Sequence, residues 1–284
     1  MRRSVFCIAV LLHFIHSPLN AFELVYQAAS DDVYALPHDV IIEPRQQLLY
    51  VADNGNDRIA VLDATTLELK GTFGEGLVQE PHDVVLDNKG RLLVADTGNS
   101  RIAVFEIDAA GGKLIDEIAG SIARPEGVAV HPNGRIYATG AASGNVVAYE
   151  GDTVVYELDG LAAPHDVVVG PDRTLWIADA GNDRVVNVSE NLQILRVFEG
   201  DKYSFNGPRY LDFDMHGRLY VADKYNHQIK VIDTDGSVVL VVGGPHSTYG
   251  PGYFRHPEGI SIHADQVWFA DTYNDRITRY QIRE

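Results

Sequence analysis

A nine-residue phrase that returns along the chain limits its fold more than any other feature. The phrase begins with a hydrophobic residue followed by Ala-Asp, has Asn at its sixth position, and ends in a basic or amide side chain before another hydrophobic residue. It occurs at 51–59, 94–102, 177–185, 221–229 and 269–277, and a degenerate sixth copy at 137–146 lacks both the Asp and the Arg. Such self-similarity predicts repeated units of one supersecondary structure.

A proline-led phrase precedes each copy. It reads Pro-His-Asp-Val at 37–40, 81–84 and 164–167, Pro-Glu-Gly at 125–127 and 257–259, and Pro-Arg-Tyr at 208–210. The residues after these prolines are 44, 44, 39, 44 and 49 positions apart. A period near 40–45 residues with short β-runs is typical of propeller blades.

The second unit shows how each repeat divides into strands. Short apolar runs predict strands at 84–86, 92–95, 102–107 and 114–118, with turns at 87–90 and 97–99. One strand is left over at 22–26, while the last unit ends after three strands, at Tyr280. We therefore predict an all-β, six-bladed β-propeller in which the N-terminal strand completes the last blade and closes the ring, removing exposed sheet edges.

The shared polar residues of the repeat predict scaffolding, because a catalytic group is needed once rather than in every blade. We expect the Asp of each phrase to accept hydrogen bonds from turn N–H groups, the Asn to occupy a left-handed turn position, and the Arg to pair with the Asp. These residues are Asp53, Asp96, Asp179, Asp223 and Asp271; Asn56, Asn99, Asn182, Asn226 and Asn274; and Arg58, Arg101, Arg184 and Arg276.

The beginning of the chain predicts export. Arg2 and Arg3 precede an apolar run at 5–15, and small residues surround a cleavage position after Ala21. This is the layout of a secretory signal peptide at 1–21, with an uncleaved anchor as the alternative. The single cysteine, Cys7, lies inside this segment, so the mature domain at 22–284 has no thiol chemistry. We expect a secreted or periplasmic monomer.

The net charge argues against two classes of partner. The full chain carries −17, and removing Arg2 and Arg3 leaves 21 basic side chains against 40 acidic ones, a net charge of −19. Such a body repels phosphate backbones and anionic membrane surfaces, so we expect no nucleic-acid partner and no membrane contact beyond the signal segment.

The residues that differ between repeats point to the functional site. In a propeller the innermost strand of each blade starts beside the central axis, so the side chains after the six prolines should gather at one mouth of the channel. They are His38, His82, Glu126, His165, Arg209 and Glu258. Imidazoles and carboxylates with an open position suit Zn²⁺ or another divalent transition metal. Asp39, Asp83 and Asp166 add oxygens that suit Ca²⁺ deeper in the channel. The alternative is a hydrogen-bonded, metal-free channel in which Arg209 balances the carboxylates.

Two family resemblances rest on these phrases. The Pro-led phrase followed by Val-Ala-Asp-x-x-Asn-x-Arg-Ile resembles the NHL repeat, known for six-bladed propellers. Pro-His-Asp-Val at 37–40, 81–84 and 164–167 is similar to the zinc-binding phrases of peptidyl-α-hydroxyglycine α-amidating lyase. The histidines of that family come from alternate blades, whereas here they come from units one, two and four.

The second resemblance implies roles for particular residues. It implies that His38, His82 and His165 hold a catalytic zinc, and that an Asp after one of them joins a calcium site. Tyr225 and Tyr273 match its Asp-x-Tyr turn, which carries a base, and Arg209 stands in for its substrate-binding arginine. The implied reaction splits a carbinolamide into an amide and an aldehyde.

Three functions remain open from the sequence. The first is a metal-dependent lyase acting on a small peptide or another small molecule at the channel mouth. The second is a non-catalytic propeller that binds a protein, peptide or glycan. The third is a calcium-dependent hydrolase or lactonase.

Overall fold

Six four-stranded antiparallel sheets make up the part of the chain that the computed structural model describes, residues 22–31, 33–108 and 111–284. The predicted all-β, six-bladed propeller is confirmed. The predicted signal peptide at 1–21 lies outside the described residues. No helix in the described ranges has the length and apolar character that a bilayer crossing requires.

The first three blades each run from the axis outward in chain order. Blade 1 contains β2 (Pro37–Glu43), β3 (Leu48–Asp53), β4 (Arg58–Asp63) and β5 (Leu69–Phe73). Blade 2 contains β6 (Pro81–Leu86), β7 (Leu92–Asp96), β8 (Arg101–Ile107) and β9 (Gly112–Ala119). Blade 3 contains β10 (Pro125–Val130), β11 (Ile136–Gly140), β12 (Asn145–Glu150) and β13 (Thr153–Leu158).

The other three blades follow the same order, except that the outermost strand of blade 6 comes from the N-terminal part of the chain. Blade 4 contains β14 (Pro164–Val169), β15 (Leu175–Asp179), β16 (Arg184–Val188) and β17 (Ile194–Phe198). Blade 5 contains β18 (Pro208–Phe213), β19 (Leu219–Asp223), β20 (Gln228–Ile232) and β21 (Val238–Gly243). Blade 6 contains β22 (Ile260–His263), β23 (Gln266–Asp271), β24 (Arg276–Arg283) and, as its outermost strand, β1 (Glu23–Ala29).

The N-terminal strand closes the ring as predicted. β1 pairs antiparallel with β24, from Glu23 opposite Arg283 to Ala29 opposite Thr278. The inner strands touch in sequence around the axis, and β22 contacts β2. Blade 6 therefore combines the first and the last strands of the described chain. The contact between β22 and β2, which joins blade 6 to blade 1, links residues that are distant in sequence.

Five of the repeat phrases form the same turn between the second and third strands. Each turn is a three-residue 3₁₀ helix followed by a residue in the left-handed conformation. The helices are Asn54–Asn56, Thr97–Asn99, Ala180–Asn182, Lys224–Asn226 and Thr272–Asn274. The prediction that the Asn itself is left-handed is wrong: that conformation falls on the next residue, such as Asp57 at φ 50°. Keeping Asn56 in the 3₁₀ turn lets its amide donate back to Asp53, 2.9 Å away.

The Asp of the phrase is the centre of each turn. Asp53 is fully buried, accepts the Ala35 N–H at 2.9 Å and accepts the Arg58 Nε–H at 2.6 Å. The same pairings recur at Asp96, where Gln79 N and Arg101 Nε donate. The carboxylate thus ties the turn to the segment that leads into the inner strand, and it fixes where the residue after the proline lies.

Candidate functional site

Three side chains from consecutive blades form a compact cluster at one mouth of the channel. They are His82, Glu126 and His165, whose ligand-capable atoms all lie within 4.8 Å of one another. His165 Nε2 is 3.0 Å from Glu126 Oε2, and His82 Nε2 is 3.8 Å from Glu126 Oε1. Two imidazoles and a carboxylate are a donor set that suits zinc and leaves a position open.

His38 and Glu258 extend this cluster across the axis. The His38 ring centroid is 4.3 Å from that of His82, and His38 Nδ1 is 3.4 Å from Glu258 Oε2. The same Glu258 oxygen is 3.8 Å from His165 Nε2. Five of the six residues after the prolines therefore meet in one layer, the mouth layer. The sixth, Arg209, borders it.

Hydrogen bonding fixes which ring nitrogen of His82 has a lone pair available to bind a metal ion. Its Nδ1 is 2.9 Å from the Glu80 carbonyl oxygen, which can only accept. Asn54 Nδ2 also lies 3.2 Å from this nitrogen, but it has the Pro81 carbonyl oxygen as an acceptor at 3.2 Å. The network assigns the proton to Nδ1, so Nε2 presents its lone pair towards Glu126. A backbone carbonyl that orients an imidazole in this way is common behind metal-binding histidines.

Burial keeps the histidines of this layer uncharged. Removal from water lowers the pKa of His82 to about 4, with His38 adding to the effect. Burial likewise lowers the pKa of His38, and it lowers that of His165 well below the usual range. At neutral pH the three imidazoles therefore carry free lone pairs, which metal binding requires.

The two carboxylates of the mouth layer differ in charge state. Burial raises the pKa of Glu126. Burial would raise the pKa of Glu258 as well, but His38, Lys224 and Arg209 outweigh it and lower that pKa to about 2. Lys224 Nζ lies 2.5 Å from Glu258 Oε1. Glu258 thus remains an anion held by a buried cation, and Glu126 is the carboxylate free of such a partner.

The two predicted tyrosines stand at the same mouth as the ring. The Tyr225 hydroxyl accepts a hydrogen bond from Arg209 Nη2 at 3.2 Å. The ring of His256 lies between the two phenols, with centroids 5.6 Å from Tyr225 and 4.6 Å from Tyr273. Lys224 Nζ lies about equally far from both tyrosine rings, at 5.6 and 5.5 Å. Both tyrosines are partly exposed, as groups that meet a substrate must be.

The three aspartates after the histidines lie beyond the mouth layer and serve as blade-to-blade acceptors. Asp39 accepts the Val84 N–H at 3.3 Å, Asp83 accepts the Val128 N–H, and Asp166 accepts the Leu211 N–H at 2.8 Å. They line a cavity of about 200 Å³. Asp39 and Asp83 also share a side-chain hydrogen bond. A calcium site here remains a prediction.

Tyr210 separates that cavity from the mouth layer. Its buried hydroxyl donates across the channel to the His82 carbonyl oxygen at 2.8 Å and lies 3.2 Å from the Glu126 carbonyl oxygen. The phenol therefore crosses from blade 5 to blades 2 and 3 and blocks passage along the axis. A ligand of the mouth layer enters and leaves on the histidine side.

Sequence reasoning missed Lys224 and Tyr210. A signal for Lys224 is present: it occupies the variable position after Ala-Asp, where the other four phrases have Asn54, Thr97, Ala180 and Thr272. Thr97 and Asn54 reach the carbonyl oxygen of the next blade's proline, so a longer side chain at this position reaches the axis. Tyr210 replaces an Asp or Gly, but its path across the channel depends on the packing of three blades.

Family models match two parts of the chain. The model described as "NHL repeat" matches residues 78–105. The model described as "Lactonase, 7-bladed beta-propeller" matches residues 127–284, more than half of the chain. The chain belongs to this lactonase family. Its ring has six blades rather than the seven of the family description.

Solved structures similar to this lactonase-family propeller are also propellers, at identities that indicate the fold alone. A catalytically inactive virginiamycin B lyase from Staphylococcus aureus, solved with quinupristin, is 15% identical with a TM-score of 0.67 and covers 92% of this chain and 100% of its own. An auxiliary nutrient binding protein from Bacteroides ovatus is 16% identical with a TM-score of 0.69, covering 93% and 77%. A comparison with curated proteins gave no match.

Proposed function

We propose that this propeller is an exported, metal-dependent lyase that acts on a small molecule at the mouth layer. The observation that carries the proposal is the cluster of His82, Glu126 and His165 within 4.8 Å, with neutral imidazoles and a histidine whose tautomer a backbone carbonyl fixes. His38 lies beside this set as a further ligand. Zinc is the first candidate ion, and another divalent transition metal is the second.

The residues around the cluster fit the parts of an elimination that breaks a C–N or C–O bond. A bound divalent ion would supply Lewis acidity towards a substrate hydroxyl or carbonyl oxygen. Arg209 would orient an anionic group of the substrate, and Tyr225 beside it, as its phenolate, would take the proton of the substrate hydroxyl and pass it to the departing nitrogen or oxygen. Tyr273 is the alternative base. Tyr210 confines the substrate to the histidine side of the channel.

An α-hydroxyglycine peptide is the first substrate class to test. The resemblance of the three Pro-His-Asp-Val phrases to the amidating lyases supports it, and a structural neighbour is named as a lyase. Two observations support a second candidate, calcium-dependent lactone hydrolysis: the family description, and the carboxylates suited to calcium that line the cavity behind the mouth layer. A protein or glycan ligand without turnover would make the propeller a binding module.

Metal analysis separates these functions. The purified chain, supplemented during expression and then dialysed, should retain about one transition-metal ion per molecule by mass spectrometry. The double variant His82→Ala, His165→Ala should lose it, because Glu126 and His38 alone supply too few ligands to hold a transition-metal ion. The matched control His216→Ala, His263→Ala removes two exposed histidines and should keep it. Absence of any transition metal from the wild-type protein would overturn the proposal.

Turnover is the second part of the test. The metal-loaded protein should release glyoxylate from an α-hydroxyglycine peptide, and Tyr225→Phe should lower kcat by roughly 10²-fold or more if its hydroxyl is the base. Calcium without a transition metal, together with lactone opening, would support the hydrolase instead. A bound transition metal with no turnover of either substrate would contradict the enzyme and leave a metal-binding propeller.

A further inference from the structure

The 3₁₀ turns that surround the mouth layer differ in one position. Their second residue is glycine in blades 1, 2 and 4 and tyrosine in blades 5 and 6. These residues are Gly55, Gly98, Gly181, Tyr225 and Tyr273. A Cβ at Gly55 or Gly181 would lie 2.8 or 2.7 Å from a backbone oxygen of the segment that leads into the inner strand. The glycine turns therefore have no room for a side chain, while blades 5 and 6 place large rings at the same position.

Tyr225, His256 and Tyr273 form one continuous aromatic surface beside the mouth layer, the aromatic wall. His256 lies between the two phenols, with ring centroids 5.6 Å from Tyr225 and 4.6 Å from Tyr273. Tyr225 is 47% exposed and Tyr273 is 40% exposed, so the wall is open to a ligand. The Tyr225 ring packs on Gly207, where a Cβ would lie 2.6 Å from its Cδ2. A ligand therefore meets ring surfaces that are already in place.

The aromatic wall adjoins the residues of the mouth layer. Lys224 Nζ contacts Glu258 Oε1 at 2.5 Å, and it also lies 5.6 and 5.5 Å from the two tyrosine ring centroids. Arg209, which borders the mouth layer, donates from Nη2 to the Tyr225 hydroxyl at 3.2 Å. A substrate whose reacting atoms lie at the metal cluster therefore has its neighbouring group against the wall.

The cations beside the aromatic wall decide which kind of group fits it. Aromatic side chains attract either another ring or a cation. Lys224 already lies near both tyrosine rings, and the Arg209 guanidinium carbon is 5.8 Å from the Tyr225 ring centroid. These two cations would repel a further positive charge. The wall therefore favours a neutral planar ring, and Arg209 favours an anionic group beside that ring.

We propose that the aromatic wall makes this site selective for aryl substrates, in which an aryl amide carries the reacting carbon and its carboxylate. An N-aroyl-α-hydroxyglycine is such a molecule. The aryl ring packs against Tyr273 and His256, and the carboxylate meets Arg209. This inference rests on the proposed function for the position of the reacting carbon at the metal cluster.

Binding to the metal-free protein tests the wall separately from the lyase reaction. Three unreactive N-acylglycines share the carboxylate and differ in the acyl group: hippurate has a flat phenyl ring, N-(cyclohexanecarbonyl)glycine has a puckered ring of similar size, and N-acetylglycine has a methyl group. In a chelating buffer, titration of the full protein followed on the ligand NMR signals should show hippurate binding roughly 2- to 12-fold more tightly than the cyclohexyl compound. N-acetylglycine should bind most weakly, because it covers the least apolar surface.

Variants at Tyr273 show where the ring binds. Tyr273→Leu removes the flat ring and should bring the affinity ratio of hippurate to the cyclohexyl compound close to one. Tyr273→Phe keeps the ring and should keep the ratio, which separates ring packing from the hydroxyl. The control Tyr156→Leu changes a tyrosine in the outermost strand of blade 3 and should leave the ratio unchanged. Equal affinity for the two ring compounds in the wild-type protein, or an unchanged ratio in Tyr273→Leu, would overturn the proposal.

The result is distinguishable from that of the metal and turnover experiments. A preference for hippurate in a protein that retains no transition metal would support the wall as a binding site for aryl acids and overturn the metal-dependent lyase. A metal-loaded protein that turns over its substrate but binds the two ring compounds equally would overturn the selectivity of the wall and leave the lyase in place.

Discussion

At the scale of single residues, the mouth layer depends on a buried ion pair in which only the glutamate was predicted from the sequence. Glu258 is fully buried, and Lys224 is its cationic partner. Burying a carboxylate without a partner is unfavourable by several kcal/mol, so Lys224 is what allows an anion at this place in the ring. The pair leaves Glu126 as the carboxylate that faces the histidines without a cation of its own.

A double-mutant cycle tests this role of Lys224. Lys224→Met should lower the free energy of unfolding by about 3–5 kcal/mol, because it strands the Glu258 carboxylate. Adding Glu258→Gln to that variant should recover most of the loss, since no charge then remains buried. Urea denaturation in a chelating buffer measures both. Strict additivity of the two changes would mean that the residues do not act as a pair.

The sequence predicts which residues form the mouth layer, but it does not predict their mutual contacts or their protonation. The repetition of the Pro-led phrase places His38, His82 and His165 near one axis, because the proline before each of them begins an inner strand. Which imidazoles meet Glu126 depends on side-chain directions across three blades, and no local pattern carries that information. The tautomer of His82 depends on Glu80 and Asn54, two residues that sequence reasoning did not single out.

At the scale of elements, the strand–turn–strand phrase is a self-contained bonding unit. Its Asp joins a turn amide, a guanidinium and the N–H that leads into the inner strand. Blade 5 has Gln228 where blades 1, 2, 4 and 6 have Arg, and Lys230 Nζ takes over the contact, 2.6 Å from Asp223 Oδ2. Blade 3 lacks the Asp, and Asn145 donates to the Ser121 carbonyl oxygen instead. The strand–turn–strand phrase therefore accommodates different side chains at these positions, provided that hydrogen bonds still link the strand ends.

Arg101 offers a matched pair of carboxylates for measuring what the buried contact contributes. It pairs with Asp96, which is fully buried, and with Glu117, whose side chain is 55% exposed. Asp96→Ala should lower the free energy of unfolding by about 3 kcal/mol or more, because the Gln79 N–H, the Asn99 side-chain amide and the Arg101 Nε–H all lose their acceptor. Glu117→Ala should change it by less than about 1 kcal/mol. Similar losses for both variants, measured by urea denaturation, would refute the structural role assigned to the phrase.

The elements themselves are largely predictable from the sequence. The four strands predicted in the second unit appear as β6 to β9, and the orphan N-terminal strand appears as β1. The misplaced left-handed residue has a simple cause: Asn and Asp both favour that conformation, and they are neighbours in the phrase. Choosing between them requires knowing that the Asn amide bonds to Asp53.

At the scale of the whole molecule, the ring is held by side chains that accept backbone N–H groups across the seams between inner strands. Asp39, Asp83 and Asp166 do so at three seams. Asp212 accepts the Ile262 N–H at 2.7 Å between blades 5 and 6, and Ser261 accepts the Ile42 N–H at 3.1 Å where the ring closes. Because most of these acceptors are carboxylates inside an already acidic protein, ring stability is coupled to pH.

The pKa of Asp212 determines the direction in which the free energy of unfolding changes with pH. Burial, with a contribution from Asp214, raises its pKa to about 7 even though the N–H groups of Phe213 and Ile262 favour the ionised form. The folded state therefore binds a proton that the unfolded chain has released above about pH 4, and the stability tied to this proton is lost as pH rises towards and through 7. Between pH 5 and 8 the free energy of unfolding should fall by roughly 2 kcal/mol on account of this group.

Asp212→Asn should flatten that slope, because an amide keeps an acceptor oxygen for the seam and does not ionise. The control Asp235→Asn changes an exposed turn residue whose pKa is lowered by its bonds to Ser237, so it titrates below this window and should leave the slope unchanged. Urea denaturation at pH 5, 6, 7 and 8, with chelator present to exclude metal binding, measures both. An unaltered slope in Asp212→Asn would show that the seam carboxylate is ionised throughout and that the pH coupling arises elsewhere in the ring.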